Sequence, residues 1–209
     1  MTTSPIPYVP KAHQTAIINH IVRTPRCGIW AGMGLGKTSS VLAAMELVRA
    51  LGTEDPYPVL VIAPLRVAGS TWPDEIRKWS DFAHLRVSTI LGSKTKREDA
   101  LEVDADVYTI NYEGLPWLVD RLKERWFFKT IVADEATRLK SFRMTQGGSR
   151  ARALGRVAHT LSSRFIALTG TPAPNGLQDL WGQMWFLDKG NRLGRSFRAF
   201  TNRWFTPTY

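Results

Sequence analysis

Short apolar runs alternate with longer stretches of helical periodicity along this chain. The runs fall at Gly28–Trp30, Val59–Ala63, Val87–Leu91, Val107–Ile110, Thr130–Ala133 and Phe165–Leu168. Several are continuously apolar, which predicts strands covered on both faces of a parallel sheet. Helical patterns lie between them, over Lys37–Leu51, Thr71–Trp79, Thr95–Val103, Asn111–Arg125, Arg150–Leu161 and Leu177–Leu187. The first places Val41, Met45 and Val48 on one face. Thr71-x-x-Asp74 and Thr95-x-x-Glu98 read as capping boxes at helix starts. The alternation predicts an α/β fold, a mostly parallel central sheet with helices on both faces and right-handed crossovers. In such a sheet ligands bind beyond the C-terminal strand ends. Gly52–Pro58 reads as a polar connection and Ser141–Ser149 as a glycine-containing loop. Gly190–Tyr209 reads as a helix leading out of the core.

Composition narrows the class. A chain of 209 residues suits one domain, and 44% hydrophobic with 22% charged residues is ordinary for a globular protein. No apolar run approaches the roughly 18–20 residues that span a bilayer, so no membrane partner is expected. Residues 1–10 carry no apolar signal-peptide core. The lone Cys27 excludes an internal disulfide framework and a Cys-based metal site. His13, His20, His84 and His159 show no ligand spacing. A reducing, intracellular setting fits this usage.

Charge is unevenly distributed. The net charge is +10, yet acids and bases balance as far as Glu135. Beyond it the only acids are Asp179 and Asp188. The acid-free interval carries Arg138, Lys140, Arg143, Arg150, Arg152, Arg156 and Arg164. A solvated basic face and a polyanion-binding surface both fit that pattern.

Three motifs carry chemistry. Trp30-Ala-Gly-Met-Gly-Leu-Gly-Lys-Thr38 sits between an apolar run and a helical pattern, the setting of a phosphate-binding loop. Gly32, Gly34 and Gly36 allow left-handed backbone, so N–H groups around Met33 and Leu35 can close on an oxyanion. Lys37 is placed to reach phosphates and Thr38 to ligate Mg²⁺. Ala31 stands where the G-x-x-x-x-G-K-[ST] pattern has its first glycine. Thr130–Ala133 then ends in Asp134-Glu135, where Asp134 is placed to hold Mg²⁺ and Glu135 to orient or deprotonate a water. After the last apolar run comes Thr169-Gly170-Thr171, whose hydroxyls are expected to hydrogen-bond the Asp134/Glu135 pair.

Together these motifs resemble the first RecA-like lobe of superfamily 2 helicases, and within them the Snf2 (SWI/SNF-like) family. Pro10-Lys-Ala-His-Gln14 resembles the Q-motif, and Met33-Gly-Leu-Gly-Lys-Thr38 the family's motif I. Val59–Leu65 with Trp72-x-x-Glu-Ile-x-Lys-Trp79 resembles motif Ia, and Thr109–Glu113 motif Ib. Asp134–Thr137 resembles motif II, and Leu168-Thr-Gly-Thr-Pro-x-x-Asn175 motif III. The departures are Ala31 and Gly32 in place of Asp-Glu, Thr137 in place of His, and Ser141 in place of Asn. The resemblance implies a RecA-like P-loop NTPase domain binding ATP and Mg²⁺, with Gln14 on the adenine and Thr169, Gly170 and Thr171 coupling. It implies that Pro64, Leu65, Arg66, Asn111 and Tyr112 face the backbone of double-stranded DNA. Residues 1–189 are expected to form lobe 1, and 190–209 the start of a connection towards a second lobe supplied in cis or by a partner. The compact form resembles phage and bacterial members, which implies the cytoplasm of a bacterial or phage-infected cell, at the nucleoid. The expected function is the ATP-binding lobe of a double-stranded DNA translocase. The alternative is a non-catalytic nucleotide- or DNA-binding module that regulates a partner helicase.

Overall fold

The computed structural model describes residues 4–143 and 148–206; positions 144–147, inside the loop expected over Ser141–Ser149, lie outside the described residues. Six strands form one sheet: β1 (Arg26–Trp30), β2 (Val59–Ala63), β3 (Val87–Ile90), β4 (Val107–Asn111), β5 (Thr130–Asp134) and β6 (Arg164–Thr169). Their order is β1-β6-β5-β2-β4-β3, and every pairing is parallel. All five residues of β2 are buried, as a continuously apolar strand in mid-sheet requires.

The alternation of side chains along the strands divides the core into two layers. Val59, Val61 and Ala63 pack with Val132, Ile166 and Leu168 under α1 (Ala12–Arg23), α2 (Lys37–Ala50) and α3 (Trp72–Lys78). Leu60 and Ile62 pack on the other face with Ile131, Ala133 and Phe165. That face is covered by α5 (Leu115–Leu122), α6 (Ser149–Val157) and α7 (Leu180–Asp188). The short α4 (Lys94–Glu102) follows β3 at the sheet edge, and α8 (Phe197–Trp204) ends the described chain.

The expected α/β fold is the observed one, but several helix boundaries move. Helix α1 was not among the expected elements, although Ile17, Ile18, Ile21 and Val22 carry its period. Thr71 does not cap α3, because its backbone is already helical after a π-type turn over Val67–Thr71. Ser93, not Thr95, caps α4; it is extended and its hydroxyl accepts from the Lys96 amide at 3.3 Å. The helix expected from Asn111 starts only at Leu115, since β4 runs through Asn111 and a tight turn occupies Tyr112–Gly114. Helix α8 does not lead out of the core. Ser196 caps it, and Phe200 is buried in the same cluster as Trp181 and Phe142.

Helix α7 meets the turn after β5 at a single glycine. A Cβ on Gly182 would lie 2.5 Å from the Leu139 carbonyl oxygen and 2.7 Å from that of Lys140. Backbone cannot retreat as a flexible side chain can, so only glycine allows this approach. Gly182→Ala is expected to destabilise the fold by about 1–3 kcal/mol despite alanine's better helix propensity. A thermal melt would register this as a midpoint several degrees lower; an unchanged midpoint would contradict the packing.

Candidate active site

Strand β1 delivers its chain to the C-terminal edge of the sheet, and α2 begins seven residues later at Lys37. Gly34 and Gly36 take φ of +76° and +71°, so the loop uses the left-handed backbone its glycines predict. Gly36 has a second reason to lack a Cβ, since one there would overlap Gln14 Nε2. Gln14 is held for that approach: its Oε1 accepts from the Lys11 amide at 2.8 Å, the reach-back bond of a helix first turn. Lys37 Nζ donates to the Ala31 and Gly32 carbonyls at 2.8 and 2.9 Å, which keeps the ammonium inside the loop. Thr38 is half-buried beside it.

Asp134 ends β5 as a buried carboxylate. Trp72 Nε1 donates to its Oδ2 at 2.9 Å, and the Glu135 amide donates to its Oδ1 at 3.0 Å. Burial raises the carboxyl above the usual aspartate range, while these two donors and the nearby Lys37 charge pull it back. Glu135 then adopts φ +56°, ψ +51°, an uncommon conformation for a residue with a Cβ. Such strain concentrates at functional positions and costs of order 1 kcal/mol or more.

These groups share one cavity of about 460 Å³, lined by Gln14, the 33–39 loop, Asp134 and Glu135. Another wall was not expected from the sequence: Val67 and Thr71 of the π-type turn, Glu75 and Lys78 of α3, and Trp79 just past it complete the lining. The Trp72-x-x-Glu spacing was visible, but not that Trp72 would be the donor to Asp134. Thr169, Gly170 and Thr171 reach the same edge, with a different partner from the one expected. Thr169 Oγ1 accepts from the Thr171 amide at 3.1 Å rather than bonding the acidic pair. Gly170 packs on the glycine-rich loop instead, its Cβ position 3.6 Å from the Ala31 carbonyl and 3.7 Å from the Met33 amide.

The model of the SNF2-related domain matches residues 13–208. The chain belongs to the SNF2-related domain family. A solved SWI2/SNF2 ATPase core of Sulfolobus solfataricus, in complex with dsDNA, superposes with TM-score 0.77 at 30% identity, covering 99% of this chain and 41% of that one. Protein p41 of Acyrthosiphon pisum secondary endosymbiont phage 1 is 53% identical over 95% of this chain and 43% of its own length. The ISWI chromatin-remodeling complex ATPase ISW1 of Saccharomyces cerevisiae is 30% identical over 74% of this chain and 13% of its own. The chain thus spans less than half of each of these relatives. Its fold is that of a RecA-like domain of Snf2 type.

The Snf2-type lobe brings the expected DNA-facing turns together. Ala63 pairs with Asn111 in register, so Pro64, Leu65 and Arg66 leave the sheet beside Asn111. Leu65 and Arg66 are exposed, and Pro64 and Asn111 are half-buried. Tyr112 is a correction. It is buried, and its hydroxyl donates to the Asp134 carbonyl at 2.7 Å, so its side chain is not presented to DNA. The basic interval is not a bare patch either. Arg138 and Arg150 share Glu113, Lys140 meets Asp179, Arg156 meets Asp120, and Arg164 is buried against Glu54. Arg143 lies over the Phe197 ring. No helix among the described residues is long and apolar enough to cross a membrane.

Trp72→Phe keeps a ring and removes one donor from the Asp134 carboxylate. With that donor gone, the carboxyl rises further, so protonation competes with cation binding from a higher pH downwards. The expected outcome is weaker Mg²⁺-dependent nucleotide binding, with its loss on acidification shifted to higher pH than in wild type. Calorimetric titration with and without Mg²⁺ across pH checks this, and overlapping pH profiles would remove Trp72 from that role.

Proposed function

We propose that this lobe binds ATP·Mg²⁺ and forms half of the motor of a double-stranded DNA translocase. The observation that carries the reading is the shared cavity, where phosphate loop, acidic pair and Gln14 converge at the ends of β1 and β5. Gln14 contacts the adenine. Gly32, Met33, Gly34, Leu35 and Gly36 supply the amide cradle, and Lys37 exchanges its loop carbonyls for phosphate oxygens. The Thr38 hydroxyl and the Asp134 carboxylate are hard oxygen donors that suit Mg²⁺, which keeps most of its shell for water and phosphate. A buried carboxyl with a raised pKa fits that role, because a cation offsets the cost of its ionisation. Mg²⁺ held there would neutralise charge between the terminal phosphates.

Glu135 is the base. Its strained backbone is over-determined by the Glu135 amide's bond to Asp134 and by the Arg138 amide donating to the Glu135 carbonyl at 2.9 Å. In this reading it takes a proton from the water that attacks in line at the γ-phosphate. Thr169, Gly170 and Thr171 couple by contact with the loop rather than with the acids. Pro64, Leu65, Arg66 and Asn111 meet the DNA backbone without reading sequence. A second RecA-like lobe closes the site, with the segment from 190 onward as the start of the connection. Met33, 88% exposed, and Leu35, 41% exposed, leave apolar surface beside the loop for such closure.

Two variants and one assay test this. Lys37→Ala is expected to lower nucleotide affinity at least tenfold by calorimetry; unchanged affinity would unseat the loop. Glu135→Gln, in a two-lobed form, is expected to bind ATP normally and lose turnover, and an active variant would overturn the base assignment. The lobe alone is expected to turn over slowly, because a trans arginine is typically worth about 10³–10⁵ in rate. Robust DNA-stimulated hydrolysis by 1–209 would contradict the need for a second lobe.

A further inference from the structure

Glu113 lies where the DNA-facing turns meet, and it engages three donors. Its Oε1 is 2.9 Å from Arg150 Nη1 and 3.9 Å from Arg138 Nη1, and its Oε2 accepts from Asn111 Nδ2 at 3.0 Å. The donors come from three separate elements, the start of α6, the turn after β5 and the end of β4. All three ionic side chains are about half exposed, with 45% for Arg138, 50% for Arg150 and 52% for Glu113. An exposed pair of this kind is weak and exchanges readily. The arrangement of two guanidiniums and an amide converging on one pair of oxygens also matches what a phosphodiester offers. Arg138 is positioned for this by the Tyr112 ring, 5.8 Å beneath its guanidinium.

The geometry points to a DNA phosphate site at Arg138, Arg150 and Asn111 that Glu113 occupies in the free lobe. A backbone phosphate replaces the carboxylate, so Glu113 lowers the affinity for DNA and sharpens the requirement for a continuous polyanion. This rests on the DNA reading above but names a site that reading does not need. The neighbouring turn at Pro64–Arg66 lies on the same edge, one strand away, so a single backbone can run past both.

The test is duplex binding by fluorescence anisotropy over a salt series, using wild type, Glu113→Gln, Arg150→Gln and the double variant. Glu113→Gln is expected to raise affinity about threefold to tenfold. Arg150→Gln is expected to lower affinity and reduce the magnitude of the salt slope by about 1. In the double variant the gain from Glu113→Gln should shrink, as coupled positions require. Asp104→Asn controls for net charge, since Asp104 pairs with Arg86 before β4, at the other end of the sheet. An equal gain from Asp104→Asn, or full additivity in the double variant, would overturn the site while leaving DNA binding intact. A wild-type lobe that does not bind duplex at any salt would overturn both the site and the DNA reading. A gain towards an acidic polypeptide with none towards duplex would also overturn it.

Discussion

A carboxylate at the end of a strand buried on both faces stays charged only where donors and cations reach it. Asp134 is that carboxylate, and the C-terminal edge of the sheet is arranged around it. Its Oδ2 takes the indole N–H of Trp72, which fixes the start of α3 against β5. Its carbonyl takes the Tyr112 hydroxyl, which fixes the turn after β4 from the opposite layer. Trp72 packs in the layer under α1 and α2, whereas Tyr112 packs in the layer under α5 and α6. One residue is therefore held from both faces of the sheet. Each partner is a large, fully buried aromatic, so the polar contacts are shielded from water and strengthened by it.

Charge follows a related logic. The net +10 of the chain does not become an open basic face, because acids from earlier in the sequence fold onto the late cations. Glu54, Glu113 and Asp120 precede the basic interval in the chain and meet Arg164, Arg138, Arg150 and Arg156 in space. Arg164 is almost fully buried and also donates to the carbonyls of Ile21 and Val22 at the end of α1. It is a structural clamp. Past Asp188 there is no acid at all, and Arg195, Arg198 and Arg203 are exposed. Open positive charge therefore includes the C-terminal end as well as Arg152, which is exposed within the interval that sequence composition singled out.

All six strands, the parallel sheet and one side of the shared cavity, the glycine-rich loop with the acidic pair and Gln14, were legible in the sequence; the wall from Val67 to Trp79 was not. Apolar runs buried on both faces leave few alternatives, and glycines in a strand-loop-helix setting have a specific steric meaning. Less was legible where a residue has two possible surroundings. Tyr112 follows an exposed-looking Asn111 in a motif expected to face DNA, and only the tertiary fold turns its ring inward. Thr169 follows Leu168, the register partner of Asp134, yet its hydroxyl accepts from the local Thr171 amide rather than meeting the acidic pair. Thr71 and Thr95 satisfy a capping pattern, but the helix had already begun before one and Ser93 capped ahead of the other. The pairing of the late arginines could not be read at all, since it joins positions up to 110 residues apart.

Moving Tyr112 from the surface to the interior changes how the two halves of the site relate. Asn111 and Tyr112 are consecutive, so one lies at the exposed edge while the next is bonded to the backbone of the proposed metal ligand. The turn at Pro64–Arg66 leads within a few residues to Trp72, which is bonded to that ligand's carboxylate. The loops expected to meet DNA and the acid expected to meet Mg²⁺ are therefore anchored on the same residue, one loop through its side chain and the other through its main chain. Arg138 adds a third connection, since it follows Glu135 in the same turn, lies over the Tyr112 ring and shares Glu113 with Arg150. No long relay is required between the groups proposed to face DNA and the cavity proposed to hold nucleotide, because the sheet edge already places them within one or two contacts of Asp134.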